Sequence, residues 1–114
     1  MSIPIVTSVK HYFETLPERF QASASKGVKA TYFFDIAGES GGKYAVTVDD
    51  GTMSVTEGDV ASPSATIKMH CDDYVQMVNG ELSGPVAFMK GKMKVVGNVV
   101  LAQKMTAMFP PGKA

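Results

Sequence analysis

His70, Cys71 and Asp72 stand in a row and offer an imidazole, a thiol and a carboxylate. These donor types hold zinc or build a nucleophile–base pair. Their spacing argues against both. Neighbouring residues at a strand end point in different directions, His70 falls on the outward phase of its run, and Asp72 has a sufficient role as cap of the helix that follows. Cys71 is therefore expected to be a thiol at a surface edge. The other histidine, His11, lies in no HExxH-type pattern. The stretch Gly38-Glu39-Ser40-Gly41-Gly42-Lys43-Tyr44 has the look of a phosphate loop. Its glycine spacing is short, however, Tyr44 takes the place of Ser or Thr, and a strand should follow instead of a helix, so it reads as a hairpin turn. Asp49-Asp50 and Glu57-x-Asp59 supply carboxylates, but at turns, where Asp is favoured for local backbone reasons. The expectation is no metal, no cofactor and no catalytic residue; the chain reads as a non-enzyme.

The elements that would position these groups follow from periodicity. Ile5, Val9, Tyr12, Phe13, Leu16 and Phe20 recur at helical spacing, with Ser2 as cap and Pro4 in the first turn. Pro17 is expected to break this helix at Leu16, leaving a second short helix over Glu18–Ser25 that Gly27 stops. The period then becomes two: Val28, Ala30, Tyr32, Phe34 and Ile36 share one strand face, and Tyr44, Val46 and Val48 share another. Asp50-Gly51 is the strongest hairpin signal and leads into a third strand, Thr52–Thr56. A fourth strand is expected over Ala65–His70 and a fifth over Lys92–Val96. Helices are expected after Asp72, over Pro85–Met89, and from Asn98 until Pro110-Pro111. Sequential hairpins with flanking helices make an α+β class.

Composition narrows the function classes. The chain has 114 residues, 45% of them apolar and 19% charged, and eleven Lys and Arg cancel eleven Asp and Glu. Residues 1–114 are read as one domain, which at this size buries on the order of 11,000 Å² on folding. The balance argues against disorder and against a nucleic-acid partner. A single cysteine excludes an internal disulfide and points to the cytoplasm. The opening residues carry no basic, signal-like block, and apolar runs reach only about four residues, against roughly 20 for a membrane span. Five of the eight methionines fall between Met77 and Met108. Met77, Phe88, Met89, Leu101, Met105, Met108 and Phe109 lie on several short helices, where they are either plain core or the wall of a ligand pocket.

Gly80-Glu81-Leu82, the run Ala87-Phe88-Met89-Lys90-Gly91-Lys92-Met93-Lys94-Val95-Val96-Gly97-Asn98, and Ala102-x-Lys104-Met105 together resemble the sterol carrier protein 2 family. Ser62-Pro63-Ser64-Ala65-Thr66-Ile67 and Asp73-Tyr74 add to the likeness, which covers roughly 28–109, with N-terminal helices over 4–26 outside it. The resemblance implies a five-stranded, mainly antiparallel sheet with helices covering one face around a hydrophobic tunnel. It also implies non-catalytic binding and transfer of fatty acids, fatty acyl-CoA, phospholipids or sterol-like amphiphiles. Phe88 and Met89 match the short helix beside the tunnel, and Leu101, Met105, Met108 and Phe109 the last helix; with Phe34, Ile36 and Met77 they form the expected ligand-binding set. Two departures stand out. Gly84 precedes Pro85 where an acidic residue is common, and Gly112-Lys113-Ala114 replaces the small-Lys-Leu ending of peroxisomal members, which favours a bacterial-type cytoplasmic carrier. The expected partners are a lipid ligand, with fatty acid or acyl-CoA foremost, and a transient membrane contact through Lys90, Lys92, Lys94 and Lys104. The chain would be a monomer or weak homodimer. An alternative is a lipid-presenting accessory or dimerisation module for a partner enzyme.

Overall fold

Alternation along residues 29–57 produces three strands joined by tight turns: β1 (Lys29–Ala37), β2 (Gly42–Asp49) and β3 (Thr52–Glu57). The computed structural model describes residues 6–109. Asp50 and Gly51 both take positive φ, 40° and 94°, as the type I′ hairpin requires. The turn is tied down from outside, because Gly27 N–H donates to Asp50 Oδ1 at 2.8 Å and Gly51 N–H donates to Ser25 Oγ at 2.9 Å. Two more strands, β4 (Ala65–His70) and β5 (Met93–Gly97), extend the sheet in the order β3-β2-β1-β4-β5. Pairing is antiparallel except between β1 and β4, which run parallel with Phe34 opposite Ile67. The sheet is thus mainly antiparallel, as expected, and α+β is the class.

Helices α1 (Val9–Arg19), α2 (Cys71–Val78), α3 (Gly84–Met89) and α4 (Val99–Met108) accompany it. The inward residues Tyr32, Phe34, Val46, Val48, Ala65 and Ile67 are buried with Val9, Tyr12, Phe13 and Leu16 of α1 and Tyr74 of α2. Among the described residues no helix is long and apolar enough to cross a membrane.

The N-terminal expectations need correction. Residues 6–8 are not helical, and Ser8 caps α1, its Oγ accepting from His11 N–H at 3.1 Å. Ser2, Pro4 and Ile5 lie outside the described residues, as do Pro110, Pro111 and 112–114. Helix α1 also runs through Pro17 to Arg19. The stripe Val9, Tyr12, Phe13, Leu16 and Arg19 is buried, and the Arg19 guanidinium lies 4.9 Å from the Tyr12 ring centroid, so packing outweighs one lost backbone bond. What remains of the second helix is a single 3-10 turn, Ala22–Ser25. Helix α2 is capped by His70, not Asp72: its Nδ1 accepts from Asp72 N–H at 3.2 Å, while Asp72 and Asp73 occupy the first turn.

A side-chain clamp joins distant segments. Asn79 Oδ1 accepts from Val6 N–H and Asn79 Nδ2 donates to Val6 C=O, both at 2.7 Å. Asn79→Ala should lower the unfolding free energy by about 1–3 kcal/mol, read as a shifted urea midpoint with unchanged slope.

Candidate functional site

Between the helical layer and the β1–β4–β5 side of the sheet lies a cavity of about 660 Å³, inside the roughly 300–1,000 Å³ typical of small-molecule sites. Its floor is Phe34 of β1, Ile67 of β4 and Met93 and Val95 of β5, residues that alternation aims to one face. Its walls come from Tyr12 of α1, Tyr74, Met77 and Val78 of α2, the connection over 80–83, α3, and Val99, Ala102, Gln103 and Met105 of α4. Ser83 places α3, its Oγ accepting from Val86 N–H at 3.2 Å, and Asn98 places α4, its Oδ1 accepting from Leu101 N–H at 3.1 Å. Among the described residues no charged side chain lines the cavity.

Six of the nine expected ligand-binding residues meet here: Phe34, Met77, Phe88, Met89, Met105 and Phe109. The other three sit elsewhere. Ile36, further along the inward face of β1, is core; Met108 is fully buried in the core; Leu101 packs partly buried against it, and its carbonyl accepts from Tyr32 Oη–H at 2.8 Å. Missing from that set were Tyr12, Tyr74, Ile67, Met93, Val95 and Leu82. Their apolar phase was readable, but which end of each strand or helix faces the space was not. Phe88 and Met89 stand at the rim, 51% and 84% exposed.

A model described as the SCP-2 sterol transfer family matches residues 10–110. The chain belongs to that family. Hydroxysteroid dehydrogenase-like protein 2 of Homo sapiens is 30% identical over 103 residues, which are 90% of this chain and 25% of that protein. The SCP-2 domain thus spans about a quarter of the curated relatives it matches. Palmitated SCP2L2 from Aedes aegypti superposes with a TM-score of 0.66 at 24% identity, covering 93% of this chain and 97% of that one. The sec-alkylsulfatase Pisa1 from Pseudomonas sp. superposes with a TM-score of 0.74 at 19% identity, over 91% of this chain and 16% of that one. The fold is therefore shared by a chain of about this length and by a part of a much longer one.

The His70, Cys71 and Asp72 ligand atoms of this SCP-2 domain lie within 4.8 Å of one another. Cys71 Sγ is 3.8 Å from His70 Nδ1, yet that nitrogen already accepts the Asp72 N–H that starts α2. Cys71 is also buried, not at a surface edge as expected. A Cβ at Gly38 would come within 2.6 Å of its sulfur. The arrangement is a helix cap under a glycine lid.

The polar atoms at the cavity's aromatic end are neutral phenols. Burial pushes Tyr12 up to about 12, partly offset by Arg19, and pushes Tyr74, hydrogen-bonded to Tyr12, well above the usual phenol value. The folded domain holds Tyr12 protonated where the unfolded chain, at about 10, has released its proton. Its contribution to stability is therefore complete below pH 10.0 and is lost as pH rises toward 12. Stability should fall across that window, and Tyr12→Phe should flatten the slope by up to about 1.4 kcal/mol per pH unit in urea titrations.

Proposed function

We propose that this domain binds one lipid-like amphiphile in the cavity and passes it on chemically unchanged. The observation that carries this is a space of about 660 Å³ whose lining residues include no charged side chain among those described. At about 0.8 kcal/mol per CH₂, taking some fifteen methylenes out of water is worth on the order of 12 kcal/mol. A bilayer offers nearly the same hydrocarbon environment, so exchange with a membrane is close to neutral while release into water is disfavoured. Fatty acid and fatty acyl-CoA fit this length and polarity best; a phospholipid tail or a sterol-like body uses the same wall. The palmitated relative from Aedes aegypti supports the acyl reading. Cytoplasmic residence belongs to the same proposal and rests on the lone Cys71.

Volume argues for an occupant. Water gains few hydrogen bonds from the apolar wall of this 660 Å³ space, whereas each methylene that replaces it there gains about 0.8 kcal/mol. Native mass spectrometry after gentle purification should therefore show a lipid adduct. A bare polypeptide that also ignores added amphiphiles overturns the proposal.

A second reading keeps the cavity and changes its user. Because the matched part is 25% of the human relative, the domain would present lipid to an enzyme elsewhere in a longer protein or complex. Met105→Asp, which puts a charge in the wall, should abolish fluorescent fatty-acid binding under either reading, and His70→Ala should leave it intact. Transfer between vesicles by the isolated chain supports the carrier; binding without transfer supports the presenting module.

A further inference from the structure

Among the described residues, one place brings three metal-ligating side chains together: His70, Cys71 and Asp72, where β4 passes into α2. Adjacency would separate them on a strand, but the backbone goes from extended at His70 to helical at Cys71, and that turn gathers them. Cys71 Sγ lies 3.8 Å from His70 Nδ1 and 3.8 Å from Asp72 Oδ1, while Oδ2 of the same carboxylate lies 3.8 Å from Nδ1. Around tetrahedral zinc, bonds of about 2.0–2.3 Å put neighbouring N, O and S ligands about 3.3–3.7 Å apart. Each pair is thus close to that separation, and rotation of the exposed Asp72 carboxylate brings one oxygen to both partners. Gly38 makes room for the arrangement, since a Cβ there would stand 2.6 Å from Sγ and 2.9 Å from His70 Nε2. On the open side, a cleft lined by Thr7, Ser8, Ser40 and Gln76 reaches Cys71 and Asp72.

We propose that His70 Nδ1, Cys71 Sγ and an Asp72 carboxylate oxygen form a binding site for one zinc ion, with water from the cleft as fourth ligand. The donor set selects the metal, because a thiolate beside an imidazole suits zinc whereas calcium and magnesium take oxygen ligands. Thiolate and carboxylate balance the two positive charges, so the occupied site is neutral. On binding, the Cys71 thiol releases its proton to water and the sulfur supplies the electron pair of the zinc–sulfur bond. Nδ1 already presents a lone pair: it accepts the Asp72 N–H at 3.2 Å, which places the proton of the neutral ring on Nε2. Zinc takes that lone pair, and the Asp72 N–H, exposed in the first turn of α2, turns to water at small cost. Buried Cys71 holds the sulfur in place, while the exposed His70 and Asp72 admit the ion from solvent. None of the three ligands lines the lipid cavity, so the site is independent of the carrier reading.

Cobalt(II), which takes the same ligands and absorbs visibly, tests this on the 114-residue chain under reducing conditions. One equivalent should produce a thiolate-to-cobalt charge-transfer band in the near ultraviolet together with the visible bands of a tetrahedral ion, and zinc should displace both. Loss of a group that only orients a ligand costs about 10–100-fold in metal affinity, and loss of a ligand costs no less. His70→Ala and Asp72→Asn, both at exposed positions, should therefore each weaken cobalt binding at least about tenfold. Cys71→Ser should remove the near-ultraviolet band. Absence of that band from the wild-type chain overturns the site. A band whose affinity is unchanged in His70→Ala and Asp72→Asn also overturns it, as adventitious binding to the thiol alone. Equal affinity in the urea-unfolded chain does the same, because it assigns the metal to the tripeptide and not to the fold.

Discussion

Phe13 stacks on Tyr44 with ring centroids 4.1 Å apart and packs against Phe34 and Tyr74 at 5.2 and 5.9 Å. Rigid rings from a helix, two strands and a second helix thus set the separation between the layers at one end of the sheet. That spacing is the constraint on which the cavity depends. Beyond Phe34 and Tyr74 the gap continues toward β4 and β5, where Ile67, Met93, Val95, Val99, Ala102 and Met105 line it without filling it. One side of the molecule is packed and the other hollow because aromatic side chains hold open a distance that the remaining side chains cannot span.

Most of the elements were legible, and so was the family, because strand and turn signals are local. Asp50-Gly51 specifies its own turn and Ala65–His70 its own alternation, and both appear where the pattern puts them. The failures share a cause. Ser8 outcompetes the more distant Ser2 because the buried stripe of α1 begins at Val9, and Pro17 is tolerated because Leu16 and Arg19 are buried on either side of it. His70 rather than Asp72 caps α2 because β4 runs straight into the helix, which puts the imidazole one residue earlier. Each outcome depends on tertiary packing that a local pattern does not contain. The cavity shows the same limit. Phe34 and Ile36 share a face by alternation, but only the position of β4 and α2 decides that one borders open space and the other is core. Helix α4 is apolar on more than one side, so periodicity alone did not separate Met105, in the wall, from Met108, in the core.

The wall's chemistry also constrains what can be recognised. Side chains with flexible, polarizable ends and neutral phenols discriminate by volume and length more than by functional group. Any charged head must find its partners outside, and the lysines that follow Met89 and precede Met105 are placed there.

The strand order has a consequence for assembly. Strands β1, β2 and β3 follow one another through short turns and close small loops, whereas β4 pairs parallel to β1 only after the chain has passed through both of the others. Loop-closure entropy is therefore lowest for the solid half and highest for the segments that enclose the hollow. The β1–β2–β3 hairpins can therefore order without the rest of the chain, while the cavity walls wait on the return of β4 and the helices after it.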